Sequence, residues 1–139
     1  MATPFDLLVP ELERRFPGRG LTTRAADDGL TRQAVFPAIH PEVGDVVVED
    51  AGHEFTVFFG SFTHAHYGWI GKGGEGASEA VGEVVGVLEK LFDGRLKMWG
   101  DHRGGGVGPL DFDGYRILGL FRILRPRGRQ YVWTGPLER

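Results

Sequence analysis

The chain has no cysteine. That absence removes disulfides, thiolate nucleophiles, zinc knuckles and iron–sulfur clusters from the possible chemistry. A fold without staples suits a reducing compartment, so we expect a cytoplasmic protein. Long apolar runs are also missing. No stretch approaches the ~18 apolar residues of a bilayer span, and no membrane partner is expected. Met1-Ala2-Thr3-Pro4-Phe5-Asp6 has no basic region followed by an apolar run, so no signal peptide is expected. Ser61 and Ser78 are the only serines, and neither sits in Gly-x-Ser-x-Gly. Both read as structural rather than nucleophilic. A net charge of −3 gives no global attraction to nucleic acid or to an anionic membrane.

What remains is ordinary for a globular protein: 139 residues, 41% apolar and 25% charged. This length and composition predict one domain over residues 1–139 with a real core. Glycine is abundant, at 23 residues. Much of it clusters at Gly71, Gly73, Gly74 and Gly76, and again at Gly104, Gly105, Gly106 and Gly108. Both clusters read as mobile or sharply turning loops flanking one helix. Neither is a P-loop or a dinucleotide fingerprint, since the required endings and preceding strands are absent. An anion could settle where the first loop meets a helix, but Glu75 and Glu79 oppose it.

Local patterns predict the elements. Thr3-Pro4-Phe5-Asp6 suits a helix start, and Phe5, Leu8, Val9, Leu12 and Phe16 share one helical face. Pro10 predicts a kink, or two short helices. Leu21–Ala26 and Leu30–Phe36 read as strands joined by Asp27-Asp28-Gly29. Val46-Val47-Val48 and Phe55 to Phe59 read as a hairpin across Glu49-Asp50-Ala51-Gly52, leading into Thr63-His64-Ala65-His66-Tyr67. Ala77 to Phe92 carries the clearest amphipathic stripe. Gly82 and Gly86, four apart on that helix, read as close packing on the sheet, with a partner contact surface as the alternative. Arg95–Trp99 reads as a strand, Asp101–Gly114 as a loop and Tyr115–Leu124 as a long strand, with Tyr131–Trp133 pairing back on it. The predicted class is α+β: a single antiparallel sheet with the N-terminal helix and the long central helix packed on one face.

His64 and His66 are two apart, so on a strand they share a side. Together they could grip a metal ion, with His53, Glu54 and His40 as further candidates. No third ligand stands at a diagnostic spacing, and no cofactor is inferred. Asp101-His102-Arg103 with Asp111 and Asp113 forms a second polar cluster, read as a solvated loop. Arg116, Arg122, Arg125, Arg127 and Arg129 make the C-terminal region basic, interleaved with Tyr115, Phe121, Tyr131 and Trp133. This pattern could hold single-stranded nucleic acid, or it could guard a strand edge against aggregation. Glu42, Asp45, Glu49, Asp50 and Glu54 give the first hairpin the opposite sign, which suits pairing between hairpins or a charged partner.

Four phrases taken together resemble a group of small, uncharacterised bacterial proteins with a strand-rich core. They are Pro41-Glu42-Val43-Gly44-Asp45, Thr63-His64-Ala65-His66-Tyr67, Leu91-Phe92-Asp93-Gly94-Arg95 and Tyr131-Val132-Trp133-Thr134-Gly135-Pro136-Leu137. The likeness covers roughly residues 41–99 and 131–137 and implies no activity. In size and charge segregation the chain is also similar to small immunity proteins that neutralise bacterial toxins. The first expectation is therefore a non-enzymatic binding protein with a protein partner, using His64, His66, Tyr67 and Trp69. Two alternatives stand beside it: a metal-dependent enzyme centred on His64 and His66, and single-stranded nucleic-acid binding through the arginine hairpin. A nucleic-acid partner ranks below a protein one.

Overall fold

Helix α1 (Pro4–Arg15) begins where local chemistry says it should. Thr3 caps it: the Asp6 amide donates to Thr3 Oγ1 at 3.2 Å, and the Thr3 amide donates to Asp6 Oδ2 at 3.0 Å. Pro4 occupies the first turn, where its missing donor costs nothing. Pro10 does not divide the element, and α1 is one helix. Pro10 lies on the exposed side, where water can solvate the carbonyl its ring leaves unpaired, while Phe5, Leu8 and Leu12 hold the buried stripe continuous.

The computed structural model describes residues 3–69, 76–101, 104–112, 115–117, 121–123 and 128–137. After α1 come β1 (Thr22–Ala25), β2 (Arg32–Phe36), β3 (Val46–Asp50), β4 (Glu54–Phe59) and β5 (Thr63–Gly68). They form an antiparallel five-stranded sheet in sequence order. Helix α2 (Gly76–Phe92) follows, then β6 (Leu96–Asp101), β7 (Gly104–Pro109), β8 (Tyr115–Ile117), β9 (Phe121–Ile123), β10 (Gln130–Val132) and β11 (Gly135–Pro136). A four-stranded sheet has the order β11-β10-β6-β7, and among the described residues β8 and β9 form a two-stranded sheet. The α+β class holds, but the single sheet does not.

Three expectations change with it. The glycine-rich stretch 104–108 is strand β7, not a loop, paired along β6. Its glycines admit close neighbours: a Cβ on Gly106 would lie 2.5 Å from Trp99 Cζ2, and one on Gly105 would lie 2.2 Å from the Phe62 carbonyl oxygen. The segment read as one long strand from Tyr115 holds instead two short strands, β8 and β9, paired antiparallel with Arg116 opposite Arg122. Tyr131 pairs with Met98 of β6, not with that segment, and Trp133 lies in the β10–β11 turn.

The turns are built locally. Asp28 Oδ1 accepts from the amides of Leu30 (2.8 Å) and Thr31 (2.7 Å), which closes the β1–β2 turn. The β4–β5 turn needs Gly60: its φ is +56°, and a Cβ there would lie 1.9 Å from the Val43 carbonyl oxygen.

One face of the five-stranded sheet carries Ala34, Phe36, Val46, Val48, Phe55, Val57 and Phe59. They join buried residues of α1, α2 and β6 in a single apolar cluster. Edge-to-face rings concentrate at one end: Phe16–Phe92 at 5.1 Å, Phe36–Phe92 at 5.1 Å and Phe92–Trp133 at 5.2 Å. Among the described residues, both helices thus pack on this core face. No described helix is long and apolar enough to cross a membrane.

Candidate functional site

Strand register decides what the opposite face displays. Cross-strand partners align Thr22, Val35, Val47, Phe58 and His64 in one row, and Arg24, Gln33, Glu49, Thr56 and His66 in the next. Glu54 and Gly68 begin a third. The first row is apolar through its centre: Val47 and Phe58 are half-buried and His64 is exposed. The second row is knitted together. Arg24 Nε donates to Gln33 Oε1 at 2.8 Å, and Gln33 Nε2 donates to Glu49 Oε2 at 2.7 Å. Thr56 Oγ1 lies 3.3 Å from His66 Nδ1.

The histidines gather at the sheet edge, because β5 is an outer strand with unbroken register from Phe59↔Thr63 to Glu54↔Gly68. No bulge parts them, so His64 and His66 do share a face, with ring centres 4.9 Å apart. Glu54 organises the group. Its Oε1 lies 3.1 Å from His53 Nε2 and its Oε2 lies 3.2 Å from His66 Nδ1. The Glu54 side chain is 21% exposed, against 52% for His66. The carboxylate is thus the less hydrated partner.

The four expected binding residues divide between the two faces. Alternation along β5 turns Tyr67 to the core side opposite Phe55, and Trp69 packs its ring edge-on against Phe55 at 4.7 Å. Both are partly buried against the apolar cluster. Burial, with the Glu83 carboxylate nearby, raises the Tyr67 phenol above the ordinary tyrosine range. Phe58 and Thr56 join the histidines instead. The signal for them was present in the β4 pattern, but only the cross-strand register shows which residues they meet.

The other sequence candidates lie elsewhere. His40 sits against Gly135 of β11, and its Nδ1 accepts from the Glu42 amide at 3.2 Å. Among the described residues, no group of three or more His, Asp or Glu side chains is placed to hold a metal ion. The acidic residues of the first hairpin have local partners: Asp45 accepts from the Ala38 amide at 2.8 Å and Asp50 from the Gly52 amide at 2.8 Å. The first glycine cluster up to Glu75, the residues His102, Arg103 and Asp113, and the side chains of Arg116, Arg122, Arg125 and Arg127 lie outside the described residues. Gly82 and Gly86 face away from the sheet. A Cβ on either would meet nothing within 4 Å, which overturns the reading of close packing. They line a groove of about 390 Å³ between the helices with Leu7, Val81, Val85 and Glu89. Lys97, which the sequence analysis did not single out, is only 6% exposed on β6, next to Trp99. Comparison with protein-family models, with curated proteins and with solved structures finds no match to this chain.

Proposed function

We propose that this protein is a non-enzymatic binding protein that recognises a macromolecular partner, of immunity or regulatory type, through the outer face of its five-stranded sheet. The observation that carries the proposal is the placement of both described helices on the core face. The opposite face then presents the half-buried row Val47–Phe58–His64 beside a hydrogen-bonded polar row. An apolar centre bordered by fixed polar groups is the composition of a protein interface, in which the ring of Phe58 would serve as an anchor. His64 and His66 sit at its margin and add imidazoles that act as donor or acceptor.

The test is a pull-down from the native host with wild type, Phe58→Ala, His66→Ala and, as an opposite-face control, Leu7→Ala. The expected result is one protein retained by wild type and Leu7→Ala and depleted at least tenfold by Phe58→Ala and His66→Ala. Equal retention by wild type and all three variants, or no retained protein, would refute the assignment of this face.

A further inference from the structure

We propose that His64 and His66 form a two-histidine site for a borderline transition-metal ion, with Glu54 as its supporting carboxylate. This goes beyond the partner reading and stands without it. Adjacent same-face positions on an edge strand hold the two imidazoles side by side, and their ring centres are 4.9 Å apart. With an ion–nitrogen distance of about 2.1 Å, each ring centre would stand about 3.2 Å from the ion, and the observed separation would subtend about 100°. That angle lies between the square-planar and tetrahedral values, so the strand spacing suits one ion, while the edge-on ring planes, 85° apart, need a ring rotation to aim both nitrogens at it. His64 is exposed, so rotation about χ2 can bring a ring nitrogen to the shared point.

The second observation is the placement of Glu54. Glu54 Oε2 lies 3.2 Å from His66 Nδ1, an ion-pair distance, and its negative charge favours the ring proton on that nitrogen. Nε2 of His66 then keeps its lone pair and becomes the ligand. A histidine whose other ring nitrogen rests on a carboxylate is the usual support for a metal ligand. Glu54 also brings negative charge beside the cation, and its second oxygen is engaged by His53 at 3.1 Å. Thr56 Oγ1, 3.3 Å from His66 Nδ1, restrains the same ring. Imidazole donors select copper, nickel and zinc over magnesium and calcium. Two protein ligands leave the remaining coordination positions to water or to a group from a bound partner. This arrangement gives a surface site rather than a closed structural one.

The test is titration of tag-free protein with Cu²⁺, Ni²⁺ and Zn²⁺ separately, followed by calorimetry and, for Cu²⁺, by electron paramagnetic resonance. The expected result is one ion per chain, tightest for Cu²⁺ as the Irving–Williams order requires. His64→Ala and His66→Ala should each weaken binding at least tenfold and remove one nitrogen from the Cu²⁺ spectrum. Glu54→Gln should weaken it by about 10–100-fold while keeping both nitrogens. His40→Ala, remote in sequence and seated on β11, should bind as wild type does. Absence of saturable binding, or a loss below tenfold in either β5 histidine variant, would overturn the proposal. His64 is exposed, and an unchanged circular dichroism spectrum of His64→Ala makes its binding result a test of the site and not of folding.

Discussion

At the scale of single residues, two glycines play opposite parts. Gly60 has φ +56° and a hypothetical Cβ 1.9 Å from a backbone carbonyl, whereas Gly82 sits in a helix with nothing within 4 Å of its Cβ position. Gly60→Ala should destabilise the fold by about 1–3 kcal/mol or more, since the clash is with backbone and the conformation is strained as well. Gly82→Ala should stabilise it by about 0.8–1.0 kcal/mol, because only the entropic cost of a helical glycine is removed. Denaturant unfolding of the two variants checks both signs. If Gly82→Ala were destabilising, the groove between the helices would have to be closed. Composition alone showed that glycine was abundant, but the difference between these positions arises from neighbours 17 residues before Gly60 and from open space beside Gly82, which no local pattern encodes.

At the scale of elements, the start of α1 is fixed by chemistry within four residues. Hydrogen bonds from the Thr3 backbone and side chain, and then from Arg32, hold the Asp6 carboxyl below the ordinary carboxylate range. Because the folded-state value is depressed, the contribution of this cap is complete above the unfolded value of ~3.9 and is lost as pH falls through the folded one. Asp6→Asn should therefore lower stability at neutral pH and flatten the loss of stability below about pH 4. Thermal melts of wild type and variant between neutral and acid pH measure the difference, and parallel curves would refute it. The cap, the amphipathic stripe of α2 and the Asp28 turn were all legible in the sequence, since each depends on residues within one or two turns. Strand β7 was not. Its glycines signalled a loop, and only the cross-strand indole of Trp99 and the backbone at Phe62, which is distant in sequence, explain why a strand there has to lack side chains.

At the scale of the whole molecule, the aromatic cluster joins what the chain separates. Phe92 at the end of α2 meets Phe16 after α1, Phe36 of β2 and Trp133 between β10 and β11. Arg19 also lies over the Phe92 ring at 4.3 Å. Phe92→Ala should cost about 3–5 kcal/mol, the range for deleting a buried aromatic ring. It should lower the unfolding midpoint of both sheets together, which tryptophan fluorescence and circular dichroism can follow in one experiment. Separate transitions would mean that the two sheets do not share one cooperative core.

The sequence by itself determined the α+β class, both helices and the first hairpins. All of these follow from periodicity, capping and turn chemistry over a few residues. The tertiary structure decided that there are two main sheets, that the glycine-rich stretch 104–108 is a strand, that no bulge parts His64 from His66, and that Tyr67 and Trp69 lie partly buried on the core side while Glu54, Thr56 and Phe58 belong with the histidines. The reason is the twofold alternation of a strand. It splits neighbours in sequence between opposite faces and joins residues ten apart across a ladder, so the composition of a sheet face depends on register, which non-local pairing sets.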